Sequence, residues 1–336
     1  MSEYTAITGN SLLEDSSLEF DLYLKSGSNG HSNYVLFCRG QDGFSQERKE
    51  ELLSKNIDNL YIAAEDTGKY LRYQEDNLQN IVNDKSKSNK ERSGVVYQVA
   101  KNLISNLMDD PKSGEAMERV SGWVQNTVSH IMEDENTFSS LFDLTSHDYH
   151  IYTHSINVST IGLLFGKYLD LEPHELNRIG SGLLLHDIGK TTIPMNVINK
   201  PGHLSGDDLA AIRKHPKAGL ELLEHRSSVN VLSLKIVIQH HENYNGSGYP
   251  YGMSGNELHL FSRIARIIDT YDAMTSNRSY ADAKRPFAVL AEMKNDMPGC
   301  FDTELLREFI GFLGPKDPRK KRRPDDTLYS TAAMKT

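Results

Sequence analysis

Between residues 150 and 270 the chain repeatedly ends an apolar, helix-forming run on histidine or aspartate. His186-Asp187 follow the run 179–185, His240-His241 close 229–238, and Asp269 ends 264–268. His154 lies on an earlier helical segment, and His215 precedes Pro216. Such runs are buried on folding, and a bare carboxylate buried with them is costly, so the His and Asp side chains must be paired or metal-bound. Imidazole and carboxylate together suit first-row metals such as iron, manganese or zinc, and a shared carboxylate can bridge two ions. One His-Asp dipeptide alone reads more readily as a local hydrogen-bonded pair than as a metal site. His240 and His241 would point about 100° apart on a helix, so one could be a ligand and the other a surface residue.

Composition narrows the classes of function. The chain has 336 residues, room for about two domains at roughly 150 residues each. It is 38% hydrophobic, which excludes global disorder. Its 37 basic and 46 acidic residues give a net charge of −9, which argues against a dominant nucleic-acid-binding face. An anionic substrate would then need local cations, either metals or placed Arg and Lys. Two cysteines, Cys38 and Cys300, make neither a disulfide framework nor a cysteine zinc site. No run approaches the roughly 18 apolar residues of a membrane span, and the first residues lack a secretory signal, so the expected location is the cytoplasm.

The patterning predicts a mainly α chain: a helical domain behind a small α+β one. Residues 1–83 form the small domain, with a strand over 18–24, a Gly/Ser/Asn loop, a strand over 33–39, a helix over 45–55, a strand over 60–63 and a helix over 65–82. It holds no catalytic constellation and reads as a regulatory or interaction domain. Residues 84–142 are linking helices, amphipathic over 95–132 and broken near Asp110-Pro111. They could pack within one chain or pair two chains as a homodimer. Helical patterns dominate 143–313, and 314–336 is a solvated basic tail.

The series His, His-Asp, His, His-His, Asp resembles the HD superfamily of metal-dependent phosphohydrolases. HDIGK at 186–190, HHE at 240–242 and GSGYP at 246–250 together resemble its HD-GYP subgroup. DYHIYTHS at 148–155, KPGHL at 200–204, His215-Pro216 and DTYDAMTSNRSY at 269–280 agree, so the likeness runs through 143–313 in order and spacing. The resemblance implies that His154, His186, Asp187, His215, His240, His241 and Asp269 bind two transition-metal ions, iron foremost and manganese or zinc otherwise. Asp187 would bridge the ions and take part in catalysis. Lys190 would stabilise charge on the phosphate and be a candidate proton donor. Tyr249 would stand in the signature loop beside the site, and Arg278 would hold a substrate phosphate. The implied reaction is hydrolysis of the second messenger cyclic di-GMP to the linear dinucleotide pGpG, and sometimes onward to GMP. A signalling partner would be reached through residues 1–140.

Three features set this chain apart. Asn245 stands where the family usually has Asp, and Ala281 where it usually has a second basic residue, with Lys284 or Arg285 as substitutes. His150 lies one helical turn before His154 and could hold a third metal. Asn245 and Ala281 lend weight to the alternative, a metal-holding but catalytically weak cyclic di-GMP receptor. Arg278 and Asp272 could equally be a local ion pair.

Overall fold

The computed structural model describes residues 3–26, 33–57, 59–133, 137–145, 151–198, 200, 202–277 and 282–314. Much of the glycine-rich loop before residue 33, His150, Arg278, Ala281 and the basic tail lie outside these residues. The chain divides into two compact units, Met1–Asn102 and Leu103–Thr336.

Alternating side chains build a four-stranded antiparallel sheet in the first unit. Its strands are β1 (Tyr4–Thr8), β2 (Leu22–Ser26), β3 (Asn33–Cys38) and β4 (Asn59–Ala63), in the order β1-β4-β2-β3. The helices are α1 (Gln46–Ser54), α2 (Thr67–Asp76) and α3 (Leu78–Asn83). Leu22, Leu60 and Ile62 from the sheet meet Leu52, Phe44, Tyr70 and Tyr73 in one core. The α2 tyrosines also fasten the chain after β1, since Tyr73 Oη accepts from Leu13 N at 2.9 Å and Tyr70 Oη lies 2.6 Å from Ser11 Oγ.

Three details differ from the sequence reading. The strand β1 was not among the expected elements. The strand expected from residue 18 begins at Leu22, because the preceding segment bonds to a turn instead: Leu18 N donates to Gly40 O, and Asp21 accepts from Gly40 N. The helix expected over 65–82 breaks at Asn77, whose side-chain amide donates to Tyr73 O and closes α2.

The boundary between the units falls within α4 (Asn89–Asp109), which stops one residue short of Asp110-Pro111, where proline removes a backbone donor. The second unit continues with α5 (Gly114–Glu133), α6 (Thr137–Phe142), α7 (Ile151–Tyr168), α8 (Pro173–Leu185), α9 (Met195–Ile198), α10 (Gly206–Ile212), α11 (His215–Leu223), α12 (Val231–Gln239), α13 (Leu260–Thr275), α14 (Pro286–Asn295) and α15 (Thr303–Leu313). Every residue of α7 from 153 to 166 is buried, as befits a central helix with neighbours on all sides. It packs on α8 and α13, and α12 packs on both of those. An aromatic cluster of Phe165, Tyr271, Phe309 and Phe312 fastens α15 to α7 and α13. No described helix is long and apolar enough to cross a membrane.

Candidate metal centre

Local signals deliver each donor to its place. The turn Glu172-Pro173-His174-Glu175 starts α8 with a capping box and proline in the first turn, and the helix runs until His186 caps its end. Asp187 then opens a short 3-10 turn, Ile188–Thr192. His215 is the first residue of α11, with Pro216 after it. His154 comes from the buried α7 and Asp269 from the middle of α13. The helix α12 ends at Gln239, so His240 and His241 lie on the turn beyond it.

The seven expected donors converge in two sets. Asp187, His215, His240 and His241 form one; His154, His186 and Asp269 form the other, and within each set the donor atoms lie within 4.8 Å of one another. His154, His186 and Asp187 are 1% exposed, His215 and His240 0%, and Asp269 6%. Both carboxylates face both sets. Asp187 Oδ1 lies 3.3 Å from His215 Nε2 and 3.8 Å from His240 Nε2, while Oδ2 lies 3.6 Å from His154 Nε2 and 3.5 Å from His186 Nε2. Asp269 Oδ1 is 3.1 Å from His154 Nε2, and its Oδ2 is 3.7 Å from His241 Nδ1.

Hydrogen bonds around the sets fix the imidazole tautomers. His186 Nδ1 lies 2.6 Å from Leu183 O, His215 Nδ1 2.6 Å from Ile212 O, and His240 Nδ1 2.9 Å from Val237 O. A carbonyl only accepts, so each Nδ1 carries the proton and each Nε2 turns a lone pair inward. His215 Nε2 and His240 Nε2 thus face each other at 3.1 Å, lone pair to lone pair. A proton does not relieve this at neutral pH. Burial pushes the His215 pKa down to about 4, against the partial opposition of Asp187, and burial holds His240 well below its ordinary value. Burial alone would raise the Asp187 carboxyl. Lys190 Nζ, 2.5 Å from Oδ2, instead holds it well below the carboxylate range. Neutral imidazole lone pairs and ionised carboxylates aimed at one another form a donor set that divalent metal ions fit.

Around the donors stands a layer that the sequence reading mostly missed. Asp272 Oδ2 accepts from His154 Nδ1 at 2.7 Å and its Oδ1 from Asn157 Nδ2 at 3.1 Å. Its position three residues after Asp269, one turn along α13, was the available signal. Glu242 Oε1 accepts from Tyr251 N at 2.7 Å and so anchors the 246–250 loop. Two glycines permit the close approaches. A Cβ on Gly189 would fall 2.0 Å from His215 O, and one on Gly248 would fall 2.2 Å from Asn243 N.

Tyr249 stacks on His241, with ring centroids 4.7 Å apart and planes at 26°. Burial, reinforced by Asp269, raises its phenol pKa, so the hydroxyl stays neutral. Asn245 accepts from Ser247 N at 3.0 Å and from Ser247 Oγ at 2.7 Å, a turn-closing role that needs an acceptor oxygen and no charge. Lys284 pairs with Glu292 at 2.5 Å. The placements expected of His150 and Arg278 lie outside the described residues.

Comparison with known proteins agrees with this geometry. The sequence profile of the HD domain family matches residues 136–305. A cyclic di-GMP phosphodiesterase of Pseudomonas aeruginosa is 30% identical over 217 residues, covering 64% of this chain and 52% of that protein. The cyclic di-GMP phosphodiesterase response regulator RpfG of Xanthomonas campestris pv. campestris is 37% identical over 147 residues, 43% of this chain and 39% of its own. The chain therefore spans about half or less of the curated relatives it matches. An HDG"Y"P protein from Bdellovibrio bacteriovorus shares the fold, with a TM-score of 0.66 at 22% identity over 92% of this chain and 99% of that one.

Proposed function

Because the chain belongs to the HD domain family and carries the HD-GYP signature, we propose that it is a metal-dependent phosphodiesterase that hydrolyses cyclic di-GMP to linear pGpG. The observation that carries the proposal is the pair of adjacent donor sets with Asp187 and Asp269 facing both. In this reading His215, His240 and His241 hold one ion, and His154 and His186 the other. Asp187, which faces both sets, would serve both ions, and Asp269 would complete the shell. Iron is the first candidate, with manganese or zinc as alternatives. Two such ions supply Lewis-acid activation of water and neutralise the phosphoryl charge that grows during in-line displacement.

The chain's own residues do the rest. Asp187, ionised by its contact with Lys190, stays an acceptor throughout. The Lys190 ammonium is less than one-fifth exposed, and a charge so shielded from water acts strongly on a developing phosphoryl oxyanion. Lys190→Ala should therefore lower kcat more than it weakens binding. Tyr249, a neutral ring stacked on His241, walls the donors on the side of the signature loop. The roles assigned to Arg278, as a phosphate contact, and to His150, as a ligand of a third metal, rest on the sequence. Residues 1–83 are proposed as the regulatory domain, with a signalling partner meeting residues 1–140 and the helices over 95–132 as the place where a second copy of the chain would pair.

The complete donor set favours turnover over the receptor reading. The test is steady-state hydrolysis of cyclic di-GMP by protein loaded with iron, manganese or zinc, followed by chromatography of pGpG. Metal-loaded protein with no turnover above the metal-only background would refute the enzyme.

A further inference from the structure

Beside the donor sets lies a second structure with no part in holding metal. Arg213, at the end of α10, places its guanidinium carbon 5.4 Å from the centroid of the Tyr249 ring. One turn later on α11, Lys217 Nζ lies 4.9 Å from the Tyr251 ring centroid. Both cations are exposed, Tyr251 is 58% exposed, and among the described residues neither cation has a carboxylate within 4.0 Å. Tyr249 in turn stacks on His241, so Arg213 stands two stacking layers outside the metal ligands. Glu242 holds the backbone of Tyr251 and thereby fixes where the second pair stands.

The substrate class gives this arrangement a use. A cyclic dinucleotide is a ring closed by two phosphodiesters. When one reaches the metal ions, the other is carried away from them by the length of a nucleoside, and the chain's −9 charge offers it no general attraction. A guanidinium stacked on an aromatic ring keeps its N–H edge free for bidentate contact with a phosphate, and stacking restricts its motion beforehand. We infer that Arg213 and Lys217, held on Tyr249 and Tyr251, form the subsite for the non-reacting phosphate of a cyclic dinucleotide. The inference rests on the phosphodiesterase reading above and names the residues that recognise the ring.

The experiment compares wild type with Arg213→Gln, Lys217→Gln and Arg213→Lys on two substrates, with metal content measured for each. Cyclic di-GMP has the second phosphate; bis(p-nitrophenyl) phosphate has one phosphate only. Losing one charge-assisted phosphate contact should raise KM for cyclic di-GMP roughly ten- to a hundredfold, with kcat unchanged. The single-phosphate substrate should be indifferent, and Arg213→Lys should fall between wild type and Arg213→Gln. An unchanged KM for cyclic di-GMP overturns the subsite and leaves the phosphodiesterase standing. Equal losses on both substrates also overturn it, because they signal damage to the metal centre. A wild type that cleaves bis(p-nitrophenyl) phosphate but neither binds nor cleaves cyclic di-GMP overturns the substrate assignment, and the subsite with it.

Discussion

Asp272→Asn tests the outer layer with almost no change of shape. The carboxylate now accepts from two buried donors, His154 Nδ1 at 2.7 Å and Asn157 Nδ2 at 3.1 Å. An asparagine has one acceptor oxygen for these two. If that oxygen serves His154, its amide meets the Asn157 amide donor to donor. If the amide faces His154 instead, the ring must carry its proton on Nε2, which removes the lone pair from the donor set. Exchanging a charge-assisted bond for a neutral one costs about 1–2 kcal/mol, which is roughly five- to thirtyfold in metal affinity. That range overlaps the roughly 10- to 100-fold penalty typical of lost outer partners. Competition with a chromogenic chelator should show weakened binding at the set of His154, His186 and Asp269. The set of Asp187, His215, His240 and His241 should hold near its wild-type affinity. Thermal melting of the metal-free protein serves as the check on folding. Wild-type affinity at both sets in a folded Asp272→Asn protein would refute the view that Asp272 sets the His154 tautomer.

Removing the shared carboxylate with Asp187→Ala should reduce occupancy of both sets, seen as the loss of nearly all metal by elemental analysis; loss of one ion alone would argue against bridging. Burial, with Lys235 and Arg263 nearby, lowers the His259 pKa to about 4 from 6.5, and the neutral ring caps α13 by accepting from Phe261 N. The unfolded chain thus binds the extra proton first, so this group's contribution is fully present above pH 6.5, falls as pH drops towards 4 and levels off below it. His259→Asn keeps a cap without that titration, and urea melts between pH 7 and 4 should show a flatter profile than wild type. Phe309 is fully buried against Phe165 and Tyr271, so Phe309→Ala should cost about 3–5 kcal/mol in denaturant unfolding; a cost under about 1 kcal/mol would contradict the packing.

The sequence by itself marked the candidate donors and the helices that bear them. A carboxylate or imidazole at the end of an apolar run must find a partner when the run is buried, so residue type and position already mark His186, Asp187, His240, His241 and Asp269. The same helical pattern revealed the mainly α second unit, and Asp110-Pro111 marked the break after α4. Tertiary structure decided how the donors are divided. Which oxygen of Asp187 faces which histidines depends on how α7, α8, α11, α12 and α13 pack, and that follows from side-chain fit spread along the chain. It also decided that His240 and His241 face one set, although helical spacing alone would have parted them. Asp272 was visible only as an acidic residue one turn beyond Asp269 until α7 brought His154 against it. Arg213 and Lys217 gave no signal at all, since a cation on a tyrosine ring joins segments more than thirty residues apart, and no local period records such a contact.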